Sequence, residues 1–181
     1  MPHVPPASWT VFLNGSYGVG KSATLEHVGD LLADAGHPFS LMDVDWFHRS
    51  WPPAAEDPDN VLVEAANIAS VWARYRESGE RQLVVSGVIT GPADRERYER
   101  AVGMVVRLVR LEATALVTEA RLRHRFGHDR EHSLDWHLSR HRELAHRLTR
   151  ADLDEAVVQT DDRTPREVAR QVLTHFGLPG A

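Results

Sequence analysis

The feature that most constrains this chain is its only lysine. Lys21 sits in Gly15-Ser16-Tyr17-Gly18-Val19-Gly20-Lys21-Ser22, which matches G-x-x-x-x-G-K-[ST] at every fixed position. The other 20 of the 21 Lys+Arg residues are arginines. An ammonium is a compact point charge on a flexible stem, able to fold back over a glycine loop and reach phosphate oxygens; a planar guanidinium fork is too wide. The flanks suit the same reading. Thr10-Val11-Phe12-Leu13 is a short apolar, β-branched run, and Leu25, Val28, Leu31 and Leu32 form an apolar stripe at helical spacing that stops near Gly36-His37-Pro38. Strand, glycine loop and helix together aim backbone N–H groups and a helix N-terminus at anionic oxygens. A nucleoside triphosphate is the expected ligand, with Gly15, Ser16, Tyr17, Gly18, Val19, Gly20, Lys21, Ser22 and Ala23 around its phosphates and the Ser22 hydroxyl on Mg²⁺.

At 181 residues, 42% hydrophobic and 26% charged, the chain has the composition of one globular domain with a sheet covered on both faces. No apolar run approaches a membrane span, and the first eight residues, rich in proline, read as a disordered lead-in rather than a signal peptide. The absence of cysteine excludes disulfides, thiol catalysis and thiolate metal sites, so a cytoplasmic location is expected. A net charge of −5 gives no general attraction to nucleic acid or anionic membranes. The expected partner is a small molecule, and the expected state a monomer or homodimer.

Further strands are predicted over Phe39–Val44, Gln82–Ile89, Met104–Leu111 and Ala156–Thr160. Helices are predicted over Asn60–Ser78, Ala93–Val102, Thr114–Arg125 and Leu134–Leu148, and from Thr164-Pro165 onward. This alternation predicts an α/β fold: a five-stranded parallel sheet, doubly wound, with helices on both faces. No internal repeat or long linker divides it.

Several phosphate-loop classes are excluded. A Ras-type GTPase needs a second lysine in its guanine-reading motif, a protein kinase needs a strand lysine elsewhere, and a motor ATPase needs acids after the third strand, where Val84-Val85-Ser86-Gly87 has none. Asp43-Val44-Asp45 instead places two carboxylates at the end of the second strand, on one side of it by period-2 alternation. Phosphoryl transfer needs one acid for hydrated Mg²⁺ and one for the attacking hydroxyl. Solvated turn acids are the alternative.

In these motifs and in element order the chain resembles the P-loop small-molecule kinases, the group of shikimate kinase, adenylylsulfate kinase, gluconate kinase and chloramphenicol phosphotransferase. Asp43-Val44-Asp45-Trp46, Trp51-Pro52 and Leu134-Asp135-Trp136-His137-Leu138 also look like segments of a set of actinobacterial ATP-binding proteins. The resemblance implies a P-loop NTPase fold with a helical lid at about 121–140, and ATP and Mg²⁺ as cofactors. It assigns Asp43 with Ser22 to the metal, Asp45 to the acceptor hydroxyl as general base or ligand, and Gly87 to the substrate side. Arg121 and Arg125, at i and i+4 on one helix face, resemble lid arginines that stabilise transferring phosphate, while Arg123 points away. Arg163, in the loop after the fifth strand, is placed against the adenine.

Trp46, Phe47, His48, Arg49 and Trp51 are expected to line the acceptor pocket, the indoles against a ring and Arg49 against an anionic group; packing at the lid hinge is the alternative for the tryptophans. The arginine-free stretch after Trp51 favours an uncharged or weakly charged acceptor and ranks a nucleoside or nucleotide kinase lower. His124, His128, His132, His137 and His141 have helical spacing but no completing acids, and solvated lid residues are expected rather than a metal site. The sequence therefore points to an ATP-dependent kinase acting on a hydroxyl of a metabolite or antibiotic, with Lys21, Asp45, Arg125 and Arg121 as its catalytic residues. The alternatives are a non-catalytic nucleotide-binding or ligand-sequestering protein and a toxin-type kinase acting on a nucleotide sugar.

Overall fold

Five short apolar runs form the strands of a parallel sheet, and those at its centre are buried on both sides, as helices covering each face require, while the edge runs are partly exposed. In a computed structural model, which describes residues 8–126 and 131–181 and the side chains of all of these but 131–133, the five are β1 (Trp9–Asn14), β2 (Phe39–Asp43), β3 (Gln82–Ser86), β4 (Val105–Glu112) and β5 (Ala156–Gln159). All pair in parallel, in the order β2-β3-β1-β4-β5. The helices are α1 (Lys21–Asp34), α2 (Val61–Arg76), α3 (Pro92–Val102), α4 (Ala115–Phe126), α5 (Glu131–Ala151) and α6 (Pro165–Phe176). The expected lead-in, apart from Ser8, and residues 127–130 of the expected lid lie outside the described residues. None of the helices among the described residues is long and apolar enough to cross a membrane.

Alternation along the strands divides the core in two. Val11 and Leu13 of β1 face α1 and α6, where they meet Val28, Leu32, Val172 and Leu173. Phe12 faces the other way, into a cluster with Ile68 and Trp72 of α2 and Tyr98 and Val102 of α3. Thr164 caps α6 as its sequence predicts: its hydroxyl accepts from the Glu167 amide, and the Glu167 carboxylate accepts from the Thr164 amide.

Strand register sets the site. Ser86 of β3 lies opposite Leu13 of β1 on one side and Asp43 of β2 on the other, so the three strands end level. Two elements are shorter than predicted, for identifiable reasons. β2 ends at Asp43 because the Asp43 side chain accepts from the Asp45 amide and starts a 3₁₀ turn over Val44–Trp46. Asp43 and Asp45 therefore do not alternate along one strand; a turn brings them together. β3 ends at Ser86 because buried Asn14 captures the next segment, its Oδ1 accepting from the Ile89 amide and its Nδ2 donating to the Ile89 carbonyl.

Gly87 is displaced from the substrate role assigned to it. It is buried, and a Cβ there would lie 2.7 Å from Val44 Cγ2 and 2.8 Å from Phe12 Cζ. The missing side chain is the seat of Val44, which carries the turn between the two aspartates. Gly87→Ala is expected to destabilise the protein by about 1–3 kcal/mol through overpacking, read as a lowered urea midpoint with an unchanged m-value; an unchanged midpoint would show that Val44 has room to move.

Candidate active site

Asn14 fixes where the glycine loop begins. Its side chain also accepts from the Gly15 amide at 3.0 Å and donates to Asp154 at 2.9 Å, joining β1, the β3 exit and the segment before β5. At Gly15 the backbone has φ +149°, and a Cβ would lie 2.7 Å from the Leu111 carbonyl oxygen. Gly20, at φ +97°, turns the chain into α1. Both positions demand glycine. The result is a cradle of backbone amides at the N-terminus of α1, suited to an anion.

Lys21 folds back over this cradle. Its Nζ donates to the Gly15 carbonyl at 2.8 Å and the Ser16 carbonyl at 2.9 Å. Burial lowers its pKa to about 8; the charges of Asp45 and Asp43 oppose that fall and Arg125 adds to it. The next residue, Ser22, donates its hydroxyl to Asp43 Oδ2 at 2.6 Å. Ser22, Asp43 and Asp45 thus present hydroxyl and carboxylate oxygens beside one ammonium, the donor chemistry that suits a hard divalent cation. Among the described residues no cluster of three or more His, Cys, Asp or Glu forms a metal cage.

A cavity of about 230 Å³ opens above the loop, lined by Lys21, Ser22, Ala23, Asp43, Asp45 and, from α4, Arg121 and Arg125. The two arginines differ. Arg121 is tied down, donating to the Thr160 hydroxyl at 2.9 Å and the Thr160 carbonyl at 2.7 Å, whereas Arg125 is exposed at the cavity's edge. Arg123 pairs with Glu119 on the surface, as its position on the helix predicts. Arg163 does not line the cavity. It is exposed and hydrogen-bonded to Gln171 of α6, and it is Thr160 that ties the start of the loop after β5 to Arg121 and to the Val19 carbonyl.

A second cavity, of about 470 Å³, shares Lys21 and Asp45 with the first and extends toward α2, α3 and α5. Arg49 and His48 line it as expected, but Trp46 and Trp51 do not. They are 72% and 89% exposed, Trp46 lying under the Arg49 guanidinium at 4.7 Å. The turn that delivers Asp45 ends on Trp46 and leaves that indole outside the cavity. The aromatic wall comes from the lid: Trp136 and His137 pack edge-on against Tyr17 of the glycine loop, with ring centroids 5.5 and 5.0 Å away. The cavity also holds Arg97 of α3 and Arg147 of α5, so the arginine-free stretch after Trp51 carries no information about its charge.

The lid histidines correct another expectation. His141 is buried, its Nδ1 donating to the Tyr17 carbonyl, while its own carbonyl accepts from the Ser16 hydroxyl. Burial holds its pKa below the ordinary histidine value. His137 stacks on Phe126 with ring centroids 4.5 Å apart. These two are latches of α5 on the glycine loop and not solvated residues; His128 and the side chain of His132 fall outside the description.

One signal in the sequence went unread. Val61, Glu64, Ile68 and Trp72 fall on one helical stripe, and Glu64 is the lone acid among apolar residues. It is buried in the cavity wall, accepting from the Tyr98 hydroxyl at 2.5 Å and pairing with His48 at 2.8 Å.

With this geometry, solved structures place the architecture. A sugar kinase from Janibacter sp. HTCC2649 matches with a TM-score of 0.62 at 20% identity, covering 96% of each chain. The tunicamycin resistance protein of Deinococcus radiodurans matches with a TM-score of 0.64 at 18% identity, over 97% of each. Shikimate kinase from Acinetobacter baumannii, in complex with shikimate, matches with a TM-score of 0.57 at 17% identity, over 96% of this chain and 93% of that one. The chain has the fold of the P-loop small-molecule kinases. No protein-family model matches the sequence, and no curated protein was found to match it.

Because Lys21 is the only lysine, selective lysine labelling gives a single ammonium resonance that can be titrated by NMR. Its midpoint is expected at about 8 in the folded protein, against about 10.4 for an unfolded chain. Between those values the unfolded state binds more proton, so this group makes stability rise with pH across that window. A folded midpoint at the unfolded value would mean that the ammonium is not desolvated.

Proposed function

We propose that the protein is an ATP- and Mg²⁺-dependent phosphotransferase that moves the γ-phosphate to a hydroxyl of a small molecule. The observation that carries this reading is the meeting of Lys21, the Ser22–Asp43 pair and Asp45 at the boundary of two connected cavities, one above the phosphate-type cradle and one beyond it. The kinase fold shared with the solved structures supports it at the level of architecture.

The residues fit the cofactors. The amides between Gly15 and Lys21 surround an open concavity in which Gly15 and Gly18 leave no room for a Cβ, and a triphosphate would take the place of the loop carbonyls on Lys21. Ser22 and Asp43 would hold the magnesium ion. Bound Mg·ATP supplies the transferable phosphoryl group. In this reading Lys21 Nζ exchanges the loop carbonyls for phosphate oxygens, and Arg125 and Arg121 meet charge that spreads over the phosphoryl oxygens. The Asp45 carboxylate would orient the acceptor hydroxyl and take its proton as that oxygen replaces ADP on the transferred phosphorus. α5, seated on the loop through His141 and Tyr17, excludes water as a competing acceptor.

Two variants test the reading. Lys21→Ala is expected to weaken Mg·ATP binding by about two orders of magnitude, roughly 2.7 kcal/mol, measured calorimetrically. Asp45→Asn is expected to keep ATP affinity and lose about 10²–10⁴ in transfer rate, followed as ADP release over a metabolite and antibiotic panel. A Lys21→Ala protein that binds Mg·ATP as tightly as its parent sinks the assignment, and an indifferent Asp45→Asn points to a sequestering protein.

A further inference from the structure

Beside Asp45, on the wall of the larger cavity, three polar side chains from three elements form a chain that phosphate binding does not use. Tyr98 of α3 donates its hydroxyl to Glu64 Oε1, and Glu64 Oε2 of α2 pairs with Nδ1 of His48, which follows the acid turn. The Glu64 side chain is 8% exposed, and both of its oxygens are committed. A carboxylate taken out of water is costly unless it is paired, and here the pairing fixes an imidazole ring. With Nδ1 held by the carboxylate, Nε2 is the free ring nitrogen: it has no hydrogen-bond partner among the described residues and is not sealed in the core, and the ring is 38% exposed where it lines the cavity. The Glu64 hydrogen bond raises the His48 pKa, partial burial opposes this, Asp45 adds to it and Arg49 subtracts. Asp59, Asp94, Arg97 and Arg147 face the same space.

We propose that His48 is an acceptor-binding residue: its Nε2 hydrogen-bonds a second oxygen of the phosphate acceptor while Asp45 engages the hydroxyl that reacts. Glu64 and Tyr98 are then positioning residues that hold the ring, and the acceptor is a compound bearing an oxygen function beside its reactive hydroxyl. This rests on the phosphotransferase reading for the role of Asp45. The arrangement also discriminates, because an acceptor without the second oxygen leaves the ring nitrogen desolvated and unpaired.

The test uses the full chain, with its histidines labelled with ¹⁵N, and takes myo-inositol, D-gluconate and uridine as probes. His48 is assigned by the signal lost in His48→Gln. Its Nδ1 is expected to carry the hydrogen-bonded proton, and its titration midpoint to lie above the ordinary histidine value and to fall in Glu64→Gln and in Tyr98→Phe. At least one probe is expected to shift Nε2 saturably. For a probe that is phosphorylated, His48→Gln is expected to raise the acceptor KM about tenfold while the ATP KM stays within about twofold. If Nε2 is silent to every probe, or the acceptor KM is unchanged in His48→Gln, the proposal is overturned even when phosphoryl transfer is present. If Nε2 shifts but no ADP is released, the kinase reading falls and His48 remains a ligand-binding residue. Tyr98→Phe removes one hydroxyl, and it supplies the comparison if Glu64→Gln does not fold.

Discussion

The hydrogen bond from Ser22 to Asp43, 2.6 Å long, joins the two halves of the site. Ser22 belongs to the first turn of α1, behind the glycine loop; Asp43 ends β2, a strand that touches β1 only through β3. The bond forms because β1, β2 and β3 run parallel and stop at one level, which aligns the loop after β1 with the turn after β2. Lys21 and Asp45 lie along that line. Lys21 is one residue from one partner and Asp45 two from the other, and the charges of Asp43 and Asp45 both favour the ammonium. Gly87, buried beneath the turn, keeps the alignment by leaving Val44 its seat.

Lys21 also shows what the fold tolerates here. Its desolvated ammonium is satisfied by two carbonyls of its own loop, close to two carboxylates and within the field of Arg125. A buried cation held in this way costs free energy that an apolar side chain would not, and the cost is concentrated where an anion is to be bound. The lid adds to the same arrangement. His141 and Tyr17 fasten α5 to the glycine loop, and Trp136 and His137 close the side facing the larger cavity.

The sequence made some of this legible. Lys21, Ser22, Asp43 and Asp45 were identified by spacing and strand-end position, and Arg121 and Arg125 through the resemblance; the structure brings all six to one cavity. Short-range rules suffice for the first four because each lies in or beside a loop with a recognisable signature. Trp46 and Trp51 were placed by nearness in sequence to Asp45, and Gly87 and Arg163 by the resemblance; none of the four lines either cavity. Both indoles are exposed, core packing claims Gly87, and Arg163 is hydrogen-bonded to Gln171 of α6.

By itself, then, the sequence determined the alternation of strands and helices, the parallel sheet and the loop that greets an anion. These follow from hydrophobic period, glycine placement and one lysine, all of them local properties of the backbone. Only the tertiary structure decided what else surrounds Asp45: the buried Glu64 and Tyr98 behind His48, Arg97 from α3, and Trp136 and Arg147 from α5. The wall of the larger cavity draws its residues from separate helices, and their meeting depends on how those helices pack over the sheet, which no spacing along the chain encodes.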